Sequence, residues 1–225
     1  MSDKQKINKY QQSSREKKMI IKNSIFTDKI IYNILPLGFA LLSYLLYESR
    51  NTTDTSTTTN IAMDILNIKT KETAIRYFNL LKQHNLINFK ENLKRTGINK
   101  RFEIDLSQYY NIQGGFEQIP GYIFIDNYID EYSWTILCLL CKLYHANYGN
   151  AMLTQEEICF NTGIKDRRTI RDYIKKLEDK KLITIIDSKT FFNPFTSTED
   201  NDGYYPVSMS CKYQINFYSQ KKDFD

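Results

Sequence analysis

Apolar and polar positions alternate in two different periods between Gly163 and Ile185. In "KDRRTIRDYIKKLEDKK", Ile170, Tyr173, Ile174 and Leu177 recur three or four residues apart, which predicts a helix with one buried face. "LITIID" follows and reads as a strand. "KYQINFY" at 212–218 reads as its partner, with residues 188–211 as a long loop between them. Upstream, "LTQEEICFNTGI" opens on Thr154 as an N-cap, with Glu157 three residues on to close a capping box. Gly163 supplies the stop of that helix, and Asp166 caps the next one. An apolar stretch before this predicts a first helix over about 132–147.

The same pattern occurs earlier in the chain. "IKNSIFTD" at 21–28 resembles "IPGYIFID" at 119–126, an offset of 98 residues. Further on the offset is 96: "FALLSYLLYE" (39–48) lies over "TILCLLCKLY" (135–144), and 67–89 lies over 163–185 without a gap. Ile68/Ile164, Thr73/Thr169, Tyr77/Tyr173, Leu81/Leu177 and Leu86/Leu182 coincide. That period is too long for a solenoid, so two copies of one small domain are expected. The first copy then has helices near 36–50, 58–66 and 71–84, and strands near 86–90 and 101–106 joined by "ENLKRTGINK". The expected organisation is a basic tail (1–20), a first domain (21–108), a linker (109–118), a second domain (119–220) and a short C-terminal tail (221–225).

Composition adds a fold class. Only 8 Gly and 4 Pro in 225 residues leave few turn formers, so the chain reads as mainly α with small β-hairpins, an α+β fold. Nothing resembles a secretory signal, because the first 18 residues are polar. The longest apolar run, 34–47, is shorter than a spanning helix needs and contains Pro36 and Gly38. No membrane association and a reducing, cytoplasmic location are therefore expected, and the four cysteines form no disulfide framework.

Helix, helix, turn, helix and a two-stranded hairpin is similar to a winged helix-turn-helix domain. The match is best at "LTQEEICFNTGIKDRRTIRDYIKKLEDKKLI". With the internal repeat, the chain resembles two such domains in tandem over about 21–220. The resemblance implies that the third helix of each domain lies in the DNA major groove.

On that helix of the second copy, at about 100° per residue, Arg168, Arg171 and Lys175 share the side opposite Ile170 and Ile174, with Arg167 near its edge. Lys165 and Thr169 flank the row and complete a candidate DNA-binding set. Arginine suits bidentate contact with guanine, and lysine neutralises phosphate. In the first copy the matching positions are Glu72, Ile75 and Asn79. Its remaining candidates are Lys69, Lys71 and Arg76 around the helix, and Lys94, Arg95, Lys100 and Arg101 in the hairpin. Ile75, an apolar residue expected on an exposed face, is a candidate dimer contact or thymine-methyl contact. Residues 90–101 carry a net charge of +4 and residues 187–212 a net −2, so the first hairpin suits phosphates better. The formal net charge of +5 equals that of residues 1–22 alone. A basic arm of this kind meets nucleic acid or stays solvated.

Catalysis is not expected, nor any cofactor or metal. The chain has no G-x-x-x-x-G-K-[ST] phosphate loop and two histidines, His84 and His145. Cys138, Cys141 and His145 have ligand-like spacing, but Cys138 and Cys141 align with Leu42 and Leu45, which are core residue types, and Cys159 aligns with Met63. A fourth ligand is also missing from the stretch.

Two winged helices and a basic arm resemble plasmid and phage replication initiators of Gram-positive mobile elements. That resemblance implies double-stranded DNA as partner, a homodimer, host replication proteins as further partners, a C-terminal domain that reads origin repeats and an N-terminal domain that dimerises. A transcriptional regulator, a DNA-segregation adaptor, or a protein-interaction module built on degenerate winged helices would share the same residues.

Overall fold

The computed structural model describes residues 18–91, 101–125, 129–146, 151–192 and 206–219. The chain forms two compact units, Met1–Thr135 and Ile136–Asp225. Mixed helix and small sheets make it an α+β protein.

The first unit opens with β1 (Lys18–Lys22) and a one-turn helix α1 (Ser24–Thr27). Next comes α2 (Ile30–Ser49), which is interrupted at Leu35, where φ is 64° and ψ is 163°. Pro36 explains the break: its ring disfavours the helical conformation for the residue before it, and proline suits the first position of the helix that follows. The long part of α2 therefore starts where the sequence places it. Among the described residues α2 is the one helix long and apolar enough to cross a membrane, and most of it is buried within the fold. Phe39, Leu41, Leu42 and Leu45 are fully buried. Ser43 bonds its hydroxyl to the Phe39 carbonyl at 2.9 Å and accepts the Trp134 indole N–H at 2.8 Å, so both buried polar groups are satisfied.

Beyond α2 lie β2 (Asp54–Thr58), α3 (Thr59–Leu66), α4 (Lys71–Gln83), β3 (Asn88–Glu91) and β4 (Arg101–Asp105). Thr58 caps α3 by accepting the Ile61 N–H at 3.3 Å, and Thr70 caps α4 by accepting the Thr73 N–H at 3.4 Å. Asn67 ends α3 in the left-handed conformation that Asn tolerates better than most residues. The sheet runs β2-β4-β3, and Phe78 of α4 packs its ring 4.7 Å from Phe102 and 5.9 Å from Phe89. Three aromatic rings thereby join helix to sheet.

Residues 109–118 are the segment expected as a linker. They hold the end of α5 (Ser107–Tyr110) and the start of β5 (Phe116–Pro120). β5 pairs antiparallel with β1, placing Ile20 opposite Gln118 and Lys22 opposite Phe116. Ile20 and Gln118 are 98 residues apart, the first offset of the sequence match, so the ribbon has a local two-fold axis between them. Tyr109 is fully buried under it; its hydroxyl accepts from the Lys22 N–H and donates to the Ile20 carbonyl, both at 2.8 Å. Residues 18–20, expected in the N-terminal tail, are part of this ribbon, and the rest of that tail lies outside the described residues. Gly114 turns the chain into β5 at φ 112°, a conformation that favours glycine. α6 (Tyr122–Ile125) follows, then α7 (Glu131–Ala146), which crosses from the first unit into the second after Thr135.

The second unit continues with β6 (Ala151–Thr154), α8 (Gln155–Thr162), α9 (Arg167–Asp179), β7 (Ile183–Phe192), β8 (Pro206–Ile215) and α10 (Asn216–Ser219). Its sheet runs β6-β8-β7, the same placement as β2-β4-β3. β7 and β8 extend well into the segment expected to be a loop, with pairs from Ser188↔Cys211 to Phe192↔Pro206. Residues 193–205 lie outside the described residues. β2 and β6, absent from the sequence reading, form the third strand of each sheet.

Candidate nucleic-acid interface

Local signals build α8 and α9. Thr154 accepts the Glu157 N–H at 3.1 Å, and the Glu157 carboxylate returns to the Thr154 N–H at 2.7 Å, a complete capping box. Gly163 closes α8 at φ 72°, and its N–H bonds to the Cys159 carbonyl at 2.9 Å. Three residues later Asp166 caps α9 by accepting the Arg168 N–H at 2.9 Å. Ile170, Ile174 and Leu177 are buried, which fixes the rotation of α9 about its axis. Tyr173 is half-buried rather than in the core, and the Lys176 ammonium lies 4.3 Å from its ring centre.

With that face buried, Arg168, Arg171 and Lys175 are all exposed along one row, as the spacing predicts. Among the described residues, Arg168 and Lys175 have no side-chain polar partner. Arg171 donates Nε–H to the Gln155 carboxamide oxygen at 3.2 Å. Arg167 is an exception within the candidate set: its Nη1 lies 2.6 Å from Glu156 Oε1 in an ion pair on α8. Thr169 is half-buried, and its hydroxyl bonds to the Asp166 carboxylate at 3.3 Å, so it belongs to the cap. Lys165 is exposed in the turn before α9.

Around α4 the candidates do not form such a row. Lys69 and Arg76 are exposed and Lys71 is half-buried. Lys71 and Arg76 stand about 140° apart around a helix of 3.6 residues per turn. Arg76 lies 5.2 Å from the centre of the Tyr77 ring. Ile75 is half-buried, not exposed as expected, so it offers only part of its side chain to any partner. Arg101 leans across the sheet, donating from Nη2 to the Ser56 hydroxyl at 3.0 Å. Lys94, Arg95 and Lys100 lie outside the described residues.

Among the described residues, no group of three His, Cys, Asp or Glu side chains is placed to hold a metal ion. Cys138 and Cys141 are fully buried in α7, whereas His145 is exposed. Cys159 and Met63 are both half-buried, so that pair is less core-like than its neighbours. Burial of the Cys159 thiol pushes its pKa up, against the pull of the nearby Arg167 charge.

Gln155 is the residue that sequence reasoning missed. It is 7% exposed at the first position of α8 and, among the described residues, is the side chain that holds Arg171. The repeat carried a signal for it: the equivalents of Gln155 and Arg171 are Thr59 and Ile75, so the pair changes together.

Residues 129–183 match the family model of a helix-turn-helix domain. This domain suggests sequence-specific binding of double-stranded DNA. The match covers α7 through the start of β7. A comparison with curated proteins finds no match.

Proposed function

We propose that the chain is a sequence-specific DNA-binding protein made of two winged helix-turn-helix domains in tandem, and that it acts as a plasmid or phage replication initiator on origin repeats. The observation that carries the reading is the row Arg168, Arg171 and Lys175, exposed on the third helix of a domain that matches the helix-turn-helix model. Such a row supplies guanine-reading and phosphate-neutralising groups on one face.

The tandem reading is supported by the element order α2-β2-α3-α4-β3-β4, which recurs as α7-β6-α8-α9-β7-β8, with like sheet orders. It is also supported by left-handed residues at equivalent places: Asn67 with Gly163, and Asn85 with Lys181. In this reading α9 reads bases, while α4, with Glu72, Ile75 and Asn79 outward, serves contacts with a second copy of the chain. That division of labour supports the initiator over a single-headed reader. Binding and recruitment of host replication proteins are its whole activity, with no catalysis.

The experiment is selection of bound fragments from the DNA that carries the gene, followed by footprinting. An initiator protects an array of direct repeats. One inverted repeat at a promoter would overturn the initiator assignment in favour of a repressor, and no enriched site would overturn sequence-specific binding.

A further inference from the structure

We infer that Gln155 is a positioning residue for base recognition, setting the plane of the Arg171 guanidinium before DNA arrives; this rests on α9 being the reading helix. Gln155 is buried at 7% exposure, yet its carboxamide oxygen accepts from Nε of an exposed arginine at 3.2 Å. Arginine presents five N–H donors in a rigid planar fork. Anchoring Nε–H leaves the four donors on Nη1 and Nη2, and among the described residues no other group holds them. A bidentate contact to guanine O6 and N7 requires both the plane and the direction of that fork. A side chain already held in place loses less conformational freedom on binding.

The location of Gln155 fits the role. It follows Thr154, whose capping box fixes the first turn of α8, so the carboxamide stands on a rigid base. Its neighbour Glu156 holds Arg167 by an ion pair at 2.6 Å. The first turn of α8 thus grips two arginines of α9 that lie four residues apart, Arg167 and Arg171, and only Arg171 lies in the row with Arg168 and Lys175. At the equivalent places beside α4, Thr59 is fully buried and Ile75 is half-buried. Where the arginine is missing, the glutamine is missing too, as expected for a glutamine whose task is to hold that arginine.

The test uses the full chain, a duplex selected from a random-sequence pool, and an unrelated duplex of the same length. The quantity read is the ratio of the two affinities at fixed salt, with thermal melting as a check on folding. Gln155→Met keeps the length of the side chain and removes the acceptor; Gln155→Glu keeps an acceptor for Nε–H. The Met variant should lose roughly tenfold in the ratio, the low end of what one bidentate base contact supplies. Affinity for the unrelated duplex should hold within about twofold, because phosphate contacts dominate it. The Glu variant should restore the ratio. Added to Arg171→Ala, Gln155→Met should cause no further loss, since both changes remove one interaction.

Two results would overturn the positioning role: an unchanged ratio in Gln155→Met, or a further loss when it is added to Arg171→Ala. Both leave α9 as the reader, provided Arg171→Ala itself lowers the ratio. If Arg171→Ala leaves the ratio unchanged, the assignment of the reading face fails, and the role of Gln155 fails with it.

Discussion

Helices α4 and α9 each have thirteen residues, follow a capped turn and lead into a strand, but only one has a basic outer row. Their inner faces agree: Ala74, Phe78 and Leu81 are buried on α4, and Ile170, Ile174 and Leu177 on α9. Their outer faces differ completely, with Glu72, Ile75 and Asn79 against Arg168, Arg171 and Lys175. The physical reason is that packing constrains a helix on the side that touches the core, where volume errors cost several kcal/mol. The solvent side tolerates nearly any polar residue at little cost. Function therefore has to be sought where the two helices disagree, and fold where they agree.

The largest effect should come from breaking the inner-face agreement. Phe78→Ala removes a ring that packs edge-on against Phe89 and tilted against Phe102, and should cost about 3–5 kcal/mol of unfolding free energy. Ile174→Ala, at the equivalent place, should cost less, about 2–4 kcal/mol, because an aliphatic side chain buries less area. Chemical denaturation of both variants checks the order.

Next in size is the outer face. Arg171→Glu should lower affinity for a selected duplex roughly 100-fold at fixed salt, by losing a base contact and adding repulsion from phosphate. Glu72→Lys on α4 should leave discrimination between duplexes unchanged. Fluorescence anisotropy titrations would separate the two.

Smaller again is the capping difference. Thr154→Ala breaks a reciprocal box and should cost about 1 kcal/mol of stability. Thr70→Ala breaks a longer bond of 3.4 Å and should cost less, about 0.5 kcal/mol, as read from thermal melts. The smallest change is Lys175→Ala. It should weaken binding to all duplexes alike and reduce the slope of log affinity against log salt by about 1.

Much of the site was legible because its signals are local. The Thr154–Glu157 box, the Gly163 stop, the Asp166 cap and the period of Ile170, Ile174 and Leu177 all act within four residues, and the helix ends fall within a residue or two of expectation. What escaped depends on distant pairing. β1 and β5 lie 98 residues apart, and each becomes a strand through the other. The Thr-rich β2 lacks an apolar alternation and exists by pairing with β4. Burial of Tyr109 follows from the ribbon above it, which is why 109–118 looked like a linker. The Gln155–Arg171 bond spans 16 residues and needs the angle between α8 and α9, which no periodicity encodes. The half-burial of Ile75 has the same origin, since a helical wheel gives direction and not the reach of neighbouring elements.

Transplanting the outer face of α4 onto α9 tests the difference between them most directly. The triple variant Arg168→Glu, Arg171→Ile, Lys175→Asn leaves the buried face of α9 untouched, so its melting temperature should match the parent's. Affinity is measured for a duplex selected by the parent and for an unrelated one of equal length, at fixed salt. Equal, weak binding to both duplexes is the expected result. Retained preference for the selected duplex in a folded triple variant would contradict α9 as the reader.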